Sequence, residues 1–158
     1  MNIISIAWKT NCTIKKLIYK VCFRRRLVLK KKMNFRTNFH LWIEPNAFVS
    51  IGNSFFNNDC SITAHEEIII GNNCLFGEGV RIYDHNHVFS NRNIPIVLQG
   101  FKSDKVTIGN DCWIGSNCTI LKGSHIGDGC VIAAGQIIRG IIPPYTIVRN
   151  DGSFEMRH

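Results

Sequence analysis

Toward the C-terminus, isoleucine recurs every sixth residue, at Ile108, Ile114, Ile120, Ile126, Ile132 and Ile138. The intervening hexads read IGNDCW, IGSNCT, ILKGSH, IGDGCV, IAAGQI and IRGIIP. A period of six matches neither the 3.6-residue repeat of an amphipathic helix nor the simple alternation of a half-buried strand. It is the spacing of a parallel β-helix, in which three hexads complete one triangular coil. The isoleucine of each hexad then faces the core, and glycine or polar residues form the corners.

The same period is looser upstream. Hexad-like steps occur at Ile51-Gly52-Asn53 and from Phe56 to Ile62, slip around His65–Ile69, and recover through Ile70–Cys74, Phe76–Val80 and Ile82. From Asp84 to Lys105 there is no six-residue pattern at all. The strict repeat resumes at Val106 and ends at Pro143-Pro144, where two prolines stop the coil. A solenoid over residues 43–150 is therefore expected, with one long protruding loop at 84–105 and a short polar tail at 151–158. A long irregular segment inside a compact repeat points to function.

Residues 1–42 do not follow this pattern. Ile14, Leu17, Ile18, Val21 and Cys22 have helical spacing, with Lys15, Lys16, Lys20 and Arg24 among them, and RRRLVLKKK follows. This predicts a basic, helical N-terminal arm that caps the open end of the solenoid or packs on a neighbour, or else rests on an anionic membrane surface, with a disordered tail as the remaining alternative. Eleven of the 19 basic residues precede the first acid, Glu44; the remaining 8 face 11 acids, a net of −3. The basic pI thus describes the arm alone, and with no recognition module beside the charge a nucleic-acid partner is not expected. Met1–Trp8 is too short and lacks the charged n-region of a cleavable signal peptide, and no apolar run reaches transmembrane length.

Seven cysteines invite a disulfide or zinc reading. Cys74, Cys112, Cys118 and Cys130, however, all fall at the fifth hexad position, which faces inward and needs a small residue; no CxxC occurs. They are expected to be core thiols, which suits a reducing cytoplasm. A cytoplasmic location follows, with peripheral contact at the inner face of the membrane if the arm binds lipid.

Three segments together, IYDHNH (82–87), VTIGNDCWIGSNCTILKGSHIGDGCVIAAG (106–135) and IPPYTIV (142–148), resemble the hexapeptide-repeat acetyltransferases, closest to the small sugar and capsular-polysaccharide O-acetyltransferases. The resemblance is strong over about half the chain, weak over 43–69, and does not reach the arm. It implies an all-β, left-handed parallel β-helix that assembles as a homotrimer with sites between subunits. It also implies an acetyl-CoA-dependent transfer to a hydroxyl of a sugar, polysaccharide or glycan, with no metal required.

By this resemblance His85 matches the general base, with His87 in the same loop as a second candidate. Histidine suits the task because its proton affinity lies near neutral pH, and base catalysis contributes roughly 10²–10⁴ in rate. Trp113 matches an aromatic beside the cleft. Gly115 and Ser116, with the small residues Ala133, Ala134 and Gly135, match the surface along which the pantetheine arm of coenzyme A lies. Many relatives continue with Thr-Lys where this chain has Arg139-Gly140, so Arg139 and Arg149 are the candidates for the coenzyme phosphates. Asn58, Asp59, His65 and Asp84 are candidates for lining the acceptor site; Asp84 could also orient an imidazole, although an extended backbone would start its side chain on the face opposite His85.

Other readings remain open at this point. The acceptor could be serine or an antibiotic. A zinc hydratase of the gamma carbonic anhydrase type would need a third histidine beside His85 and His87, and His125 sits in a regular hexad. A non-catalytic scaffold would need the isoleucines but neither the histidine loop nor the small-residue groove.

Overall fold

The computed structural model describes residues 3–157. Helix α1 (Ile3–Phe23) and a 3-10 turn (Arg24–Arg26) lead into a parallel β-helix. Each coil contributes one short strand to each of three faces. The first coil holds β1 (Leu27–Leu29), β2 (Asn34–Phe35) and β3 (His40–Ile43), and the second β4 (Phe48–Ile51), β5 (Phe55–Phe56) and β6 (Ser61–Ala64). The third holds β7 (Glu67–Ile70), β8 (Leu75–Phe76) and β9 (Arg81–Tyr83). The loop then leaves and returns as β10 (His85–His87) and β11 (Phe101–Ser103), an antiparallel pair.

The regular repeat follows. Its coils are β12 (Val106–Ile108), β13 (Trp113–Ile114) and β14 (Thr119–Ile120), then β15 (His125–Ile126), β16 (Val131–Ile132) and β17 (Ile137–Ile138). A partial last coil has β18 (Ile141–Ile142) and β19 (Thr146–Val148), against which β20 (Phe154–Met156) pairs antiparallel. The three faces are a six-stranded sheet (β1, β4, β7, β12, β15, β18), a seven-stranded sheet (β2, β5, β8, β13, β16, β19, β20) and a five-stranded sheet (β3, β6, β9, β14, β17).

The register explains the hexad. Parallel pairing places Ile70 beside Ile108 and Ile108 beside Ile126, and Ile114 beside Ile132, so aliphatic side chains stack coil upon coil. All six isoleucines of the ladder are buried, as are Cys74, Cys112, Cys118 and Cys130. The cysteine thiols reach the carbonyl of the next coil: Sγ of Cys74 to Gly109, Cys112 to Gly127, Cys118 to Ala133 and Cys130 to Pro143, at 3.0–3.1 Å. Each is thus both a small core residue and a weak donor to a neighbouring backbone.

Three boundaries differ from expectation. The solenoid starts at Leu27, not at residue 43, so among the described residues the expected arm is a helix followed by the first coil, which closes at Ile43. That coil is hidden from the isoleucine period because its core mixes Leu27, Leu29, Met33, Leu41 and Ile43 with aromatic rings: Phe35 stacks on Phe39 at 4.6 Å, Phe39 packs tilted against Phe56 at 5.1 Å, and Phe56 stacks on Phe76 at 4.2 Å between ring centroids. The expected polar tail adds a strand to the seven-stranded sheet, and Arg157 Nη1 is 3.2 Å from Asp111 Oδ2. The loop 84–105 is not irregular throughout, because β10 and β11 close its base.

Candidate active site

Two corners of the triangle carry the candidate residues. The glycine corner joins the seven-stranded to the five-stranded sheet and stacks Asn58-Asp59, Gly77-Glu78, Gly115-Ser116 and Ala133–Gly135. The histidine corner joins the five-stranded to the next six-stranded strand and stacks Glu44, His65, the loop opened by Asp84, Lys122 and Arg139.

At the histidine corner the key contact is the one that strand alternation weighs against, between Asp84 and an imidazole. Asp84 is fully buried, and its carboxylate accepts the backbone N–H groups of His65 at 2.8 Å and Glu66 at 2.7 Å. Oδ1 also lies 3.1 Å from His85 Nδ1. A carboxylate only accepts, so this contact assigns a proton to Nδ1, which in the neutral ring leaves the lone pair on Nε2. Asp84 is therefore not an acceptor-lining residue. The alternation argument has its starting direction right, inward, but not its reach: the backbone turns out of β9 at Asp84 and the imidazole folds back over the carboxylate.

The second support is aromatic. The His65 ring stacks on His85 with centroids 3.6 Å apart and planes inclined 27°. Phe101, delivered by β11 opposite His87, touches all three histidines, with centroid distances of 4.3 Å to His65, 4.4 Å to His87 and 5.5 Å to His85. His65 Nε2 is 3.9 Å from Glu44 Oε1. Burial, and next the neighbouring His85, push the His65 pKa below its ordinary value, against the pull of Glu44. His85 is largely covered, with its side chain 13% exposed, whereas His87 is exposed.

A cavity of about 390 Å³ opens beside this cluster, lined by Glu44, Pro45, Asn46, His65 and Phe101. Another of about 350 Å³ lies on the other side of β10, where His87 and Phe89 meet Lys102 and Lys122. Glu44, Phe101, Lys102 and Lys122 escape sequence reasoning. No local motif marks them, and only coil stacking and the β10–β11 pairing bring them to the histidines.

The glycine corner is smooth by construction. A Cβ on Gly115 would lie 2.5 Å from Ala134 N, and one on Gly77 2.5 Å from Ser116 N, so successive coils leave no room for a side chain there. Ala134 and Gly135 are exposed. Gly135 has φ of 79°, a left-handed backbone that favours glycine and that Asp59 and Asn117 adopt in the same corner of other coils.

Within one chain the structure does not gather every candidate. Asn58 and Asp59 belong to the glycine corner, not to the histidines. Asn58 Oδ1 accepts from Thr37 Oγ1 at 2.8 Å, and Asp59, with φ of 60°, accepts from Asn38 Nδ2 at 2.9 Å. Trp113, 57% exposed, stands on the seven-stranded face between Leu75 and Val131. Arg139 lies at the histidine corner, but Arg149 follows β19 at the glycine corner and is paired with Glu155. The two arginines cannot grip one phosphate from a single chain.

The hexads match a family model. It is described as the hexapeptide repeat of succinyl-transferase, and it covers residues 105–139. A putative lipopolysaccharide biosynthesis O-acetyl transferase of Escherichia coli K12, WbbJ, is 37% identical over 94 residues, spanning 55% of this chain and 48% of the relative. Among solved structures, a galactoside acetyltransferase in complex with coenzyme A superposes with a TM-score of 0.62 at 27% identity, covering 84% of this chain and 63% of that one. A hexapeptide-repeat acetyltransferase of Vibrio cholerae reaches 0.71 at 24% identity, over 86% and 74% of the two chains, which speaks to fold alone.

The solenoid is built of hexapeptide repeats. It is similar in sequence and fold to the hexapeptide-repeat acetyltransferases, and it spans about half the length of the curated relative matched above.

Among the described residues no cysteine is poised as a nucleophile at the glycine or the histidine corner; the one lowered thiol, Cys74, is drawn down by its contact with Cys112 and is fully buried between the six- and seven-stranded faces. Burial pushes the thiol of Cys60 up to about 11 and raises those of Cys118 and Cys130. His125 is occupied by Thr107, whose Oγ1 lies 2.8 Å from its Nδ1. Among the described residues no three His, Cys, Asp or Glu side chains converge as a metal site requires.

Proposed function

We propose that this chain is an acetyl-CoA-dependent O-acetyltransferase whose acceptor is a sugar or glycan hydroxyl. The observation that carries the reading is the buried Asp84 carboxylate holding His85 with its Nε2 lone pair free. In the proposed reaction Nε2 takes the proton of the acceptor hydroxyl as its oxygen attacks the thioester carbonyl. The tetrahedral adduct, its oxyanion met by backbone N–H groups, collapses with cleavage of the C–S bond. The departing thiolate takes up the proton that His85 holds, leaving the acetyl ester, free coenzyme A and neutral His85. No acetyl group resides on the protein at any stage.

The glycine corner is the proposed track for the pantetheine arm, because the absence of side chains lets an extended amide chain approach the backbone closely enough to bond it. Lys102 and Lys122 join Arg139 as cations near the histidines. The smooth corner and the base lie on different corners of one chain, which favours a homotrimer in which one protomer's glycine corner faces its neighbour's histidine loop. Trp113, exposed on the seven-stranded face, would border such a junction. The sugar reading draws on relatives named for lipopolysaccharide and galactoside acetylation. Seven free cysteines suit a cytoplasmic site of action.

The test is an acceptor screen with acetyl-CoA, reading free thiol release against sugars, oligosaccharides, serine and hydroxylated antibiotics. Acetyl transfer to a sugar hydroxyl supports the proposal. Transfer to serine or an antibiotic alone rejects the acceptor class, and labelled acetyl recovered covalently on the protein rejects the direct mechanism.

A further inference from the structure

Helix α1 covers the open first coil. Cys12 and Phe23 are buried, Trp8 Nε1 donates to the Phe35 carbonyl at 2.7 Å, Lys16 Nζ to that of Met33 at 2.8 Å, and Tyr19 Oη to that of Phe39 at 2.8 Å. Arg26 locks the helix end by donating to the carbonyls of Ile43 and Glu44. One face of the helix is thereby spent on closing the core, and a terminal cap of a solenoid ordinarily turns a polar face outward to stay soluble.

This helix does the opposite. At 100° per residue, Ile14, Leu17, Ile18 and Val21 fall opposite Cys12, Tyr19 and Phe23, and they are 53%, 65%, 51% and 64% exposed. Lys20, Arg24 and Arg25 edge this stripe, and Lys31 and Lys32 are exposed on the same coil end. No acid occurs before Glu44, and no arm cation takes part in an ion pair among the described residues. Among the described residues no helix is long and apolar enough to cross a membrane.

We infer that α1 is a docking cap whose outer apolar stripe and cationic margin bind the surface of an anionic phospholipid bilayer. The occupant is chosen by charge. A second copy packed on this face by two-fold symmetry would set Lys20, Arg24, Arg25, Lys31 and Lys32 of one copy against the same cations of the other, with no acid in the first 43 residues to separate them, whereas an anionic bilayer offers both a negative surface and an apolar interior. A polyanion without an apolar phase would leave the stripe uncovered. Docked this way the helix lies in the interface and the coils stack away from it. The histidine corner of the third coil then sits about 10 Å beyond the first coil, two strand spacings on, so an acceptor carried on a lipid would come within reach. The docking itself does not depend on acetyl transfer, and either can fail alone.

The experiment is co-sedimentation of the full chain with phosphatidylglycerol-containing and with pure phosphatidylcholine vesicles. Wild type is expected to pellet with the former, to be released by salt, and to bind the neutral vesicles at least tenfold more weakly. Leu17→Ser/Val21→Ser and Lys20→Glu/Arg25→Glu should each lower binding about tenfold or more with unchanged circular dichroism and melting temperature. Equal binding to both vesicle types, no binding, or a serine variant that pellets like wild type overturns the inference. So does a wild-type assembly that the serine variant breaks into smaller species, since a second copy would then cover the stripe.

Discussion

The two corners that carry the candidate residues are built on the same period and solve opposite problems. At the glycine corner each coil lies so close to the next that a single Cβ on Gly77 or Gly115 would clash with backbone. What it offers is a narrow surface of peptide groups. At the histidine corner the chain leaves the period after the third coil, and what it offers is side-chain chemistry: a buried carboxylate, stacked imidazoles and a phenyl ring that joins them. The difference teaches that a repeat can supply a track but not a base. The proposed base, His85, stands on an interruption of the period, and that interruption has its own support from Asp84 and Phe101.

The comparison breaks most sharply at His85. His85→Ala is expected to lower the rate of acetyl transfer by about 10²–10⁴ while melting unchanged, and His87→Ala, altering an exposed ring, by no more than severalfold. Steady-state rates for the two variants decide between them, and the reverse order would move the base to His87. Asp84→Ala should act on the scaffold as well, because it strands the buried N–H groups of His65 and Glu66. A loss of about 2–4 kcal/mol is expected in denaturant unfolding, together with lost activity, whereas loss of activity alone would show that the carboxylate is not structural.

A smaller effect isolates His65. Its folded pKa is below the ordinary value, so as pH falls the unfolded chain takes up this proton first. Its contribution to stability is therefore complete above about pH 6.5 and is lost on acidification below that. His65→Phe should flatten that part of the stability profile while preserving the stack. An unchanged slope would assign the dependence to another group.

Legibility in the sequence follows the same division. The late coils are readable because isoleucine repeats without exception, and the inward cysteines follow from the count. The first coil is unreadable by that count, since Met33, Phe35 and Phe39 fill its core under a run of cations that suggests an arm. The helix itself is visible in its spacing. Its end is not, because Arg24 leaves the helix with φ of 49° in the middle of a charge cluster. His85 is legible as a histidine opening the loop. The stack on His65 joins residues twenty apart through coil geometry, and Phe101 arrives only through the β10–β11 pairing, so neither leaves a local mark. Asp84 is adjacent to His85 in sequence, yet strand alternation argues against the contact until the turn at the corner is seen.

The central claim is that a working site combines the histidine corner of one protomer with the glycine corner of another. Ala134→Trp, placed on the exposed track, should block coenzyme A without unfolding the chain, and His85→Ala should remove the base. Each variant alone is expected to be inactive on the acceptor found by screening. Co-expressed, they should recover activity, because random mixing restores an intact pair at about one junction in four. A mixture as inactive as either parent, with mixed assemblies verified by mass, would place both corners' work within a single chain and contradict the account.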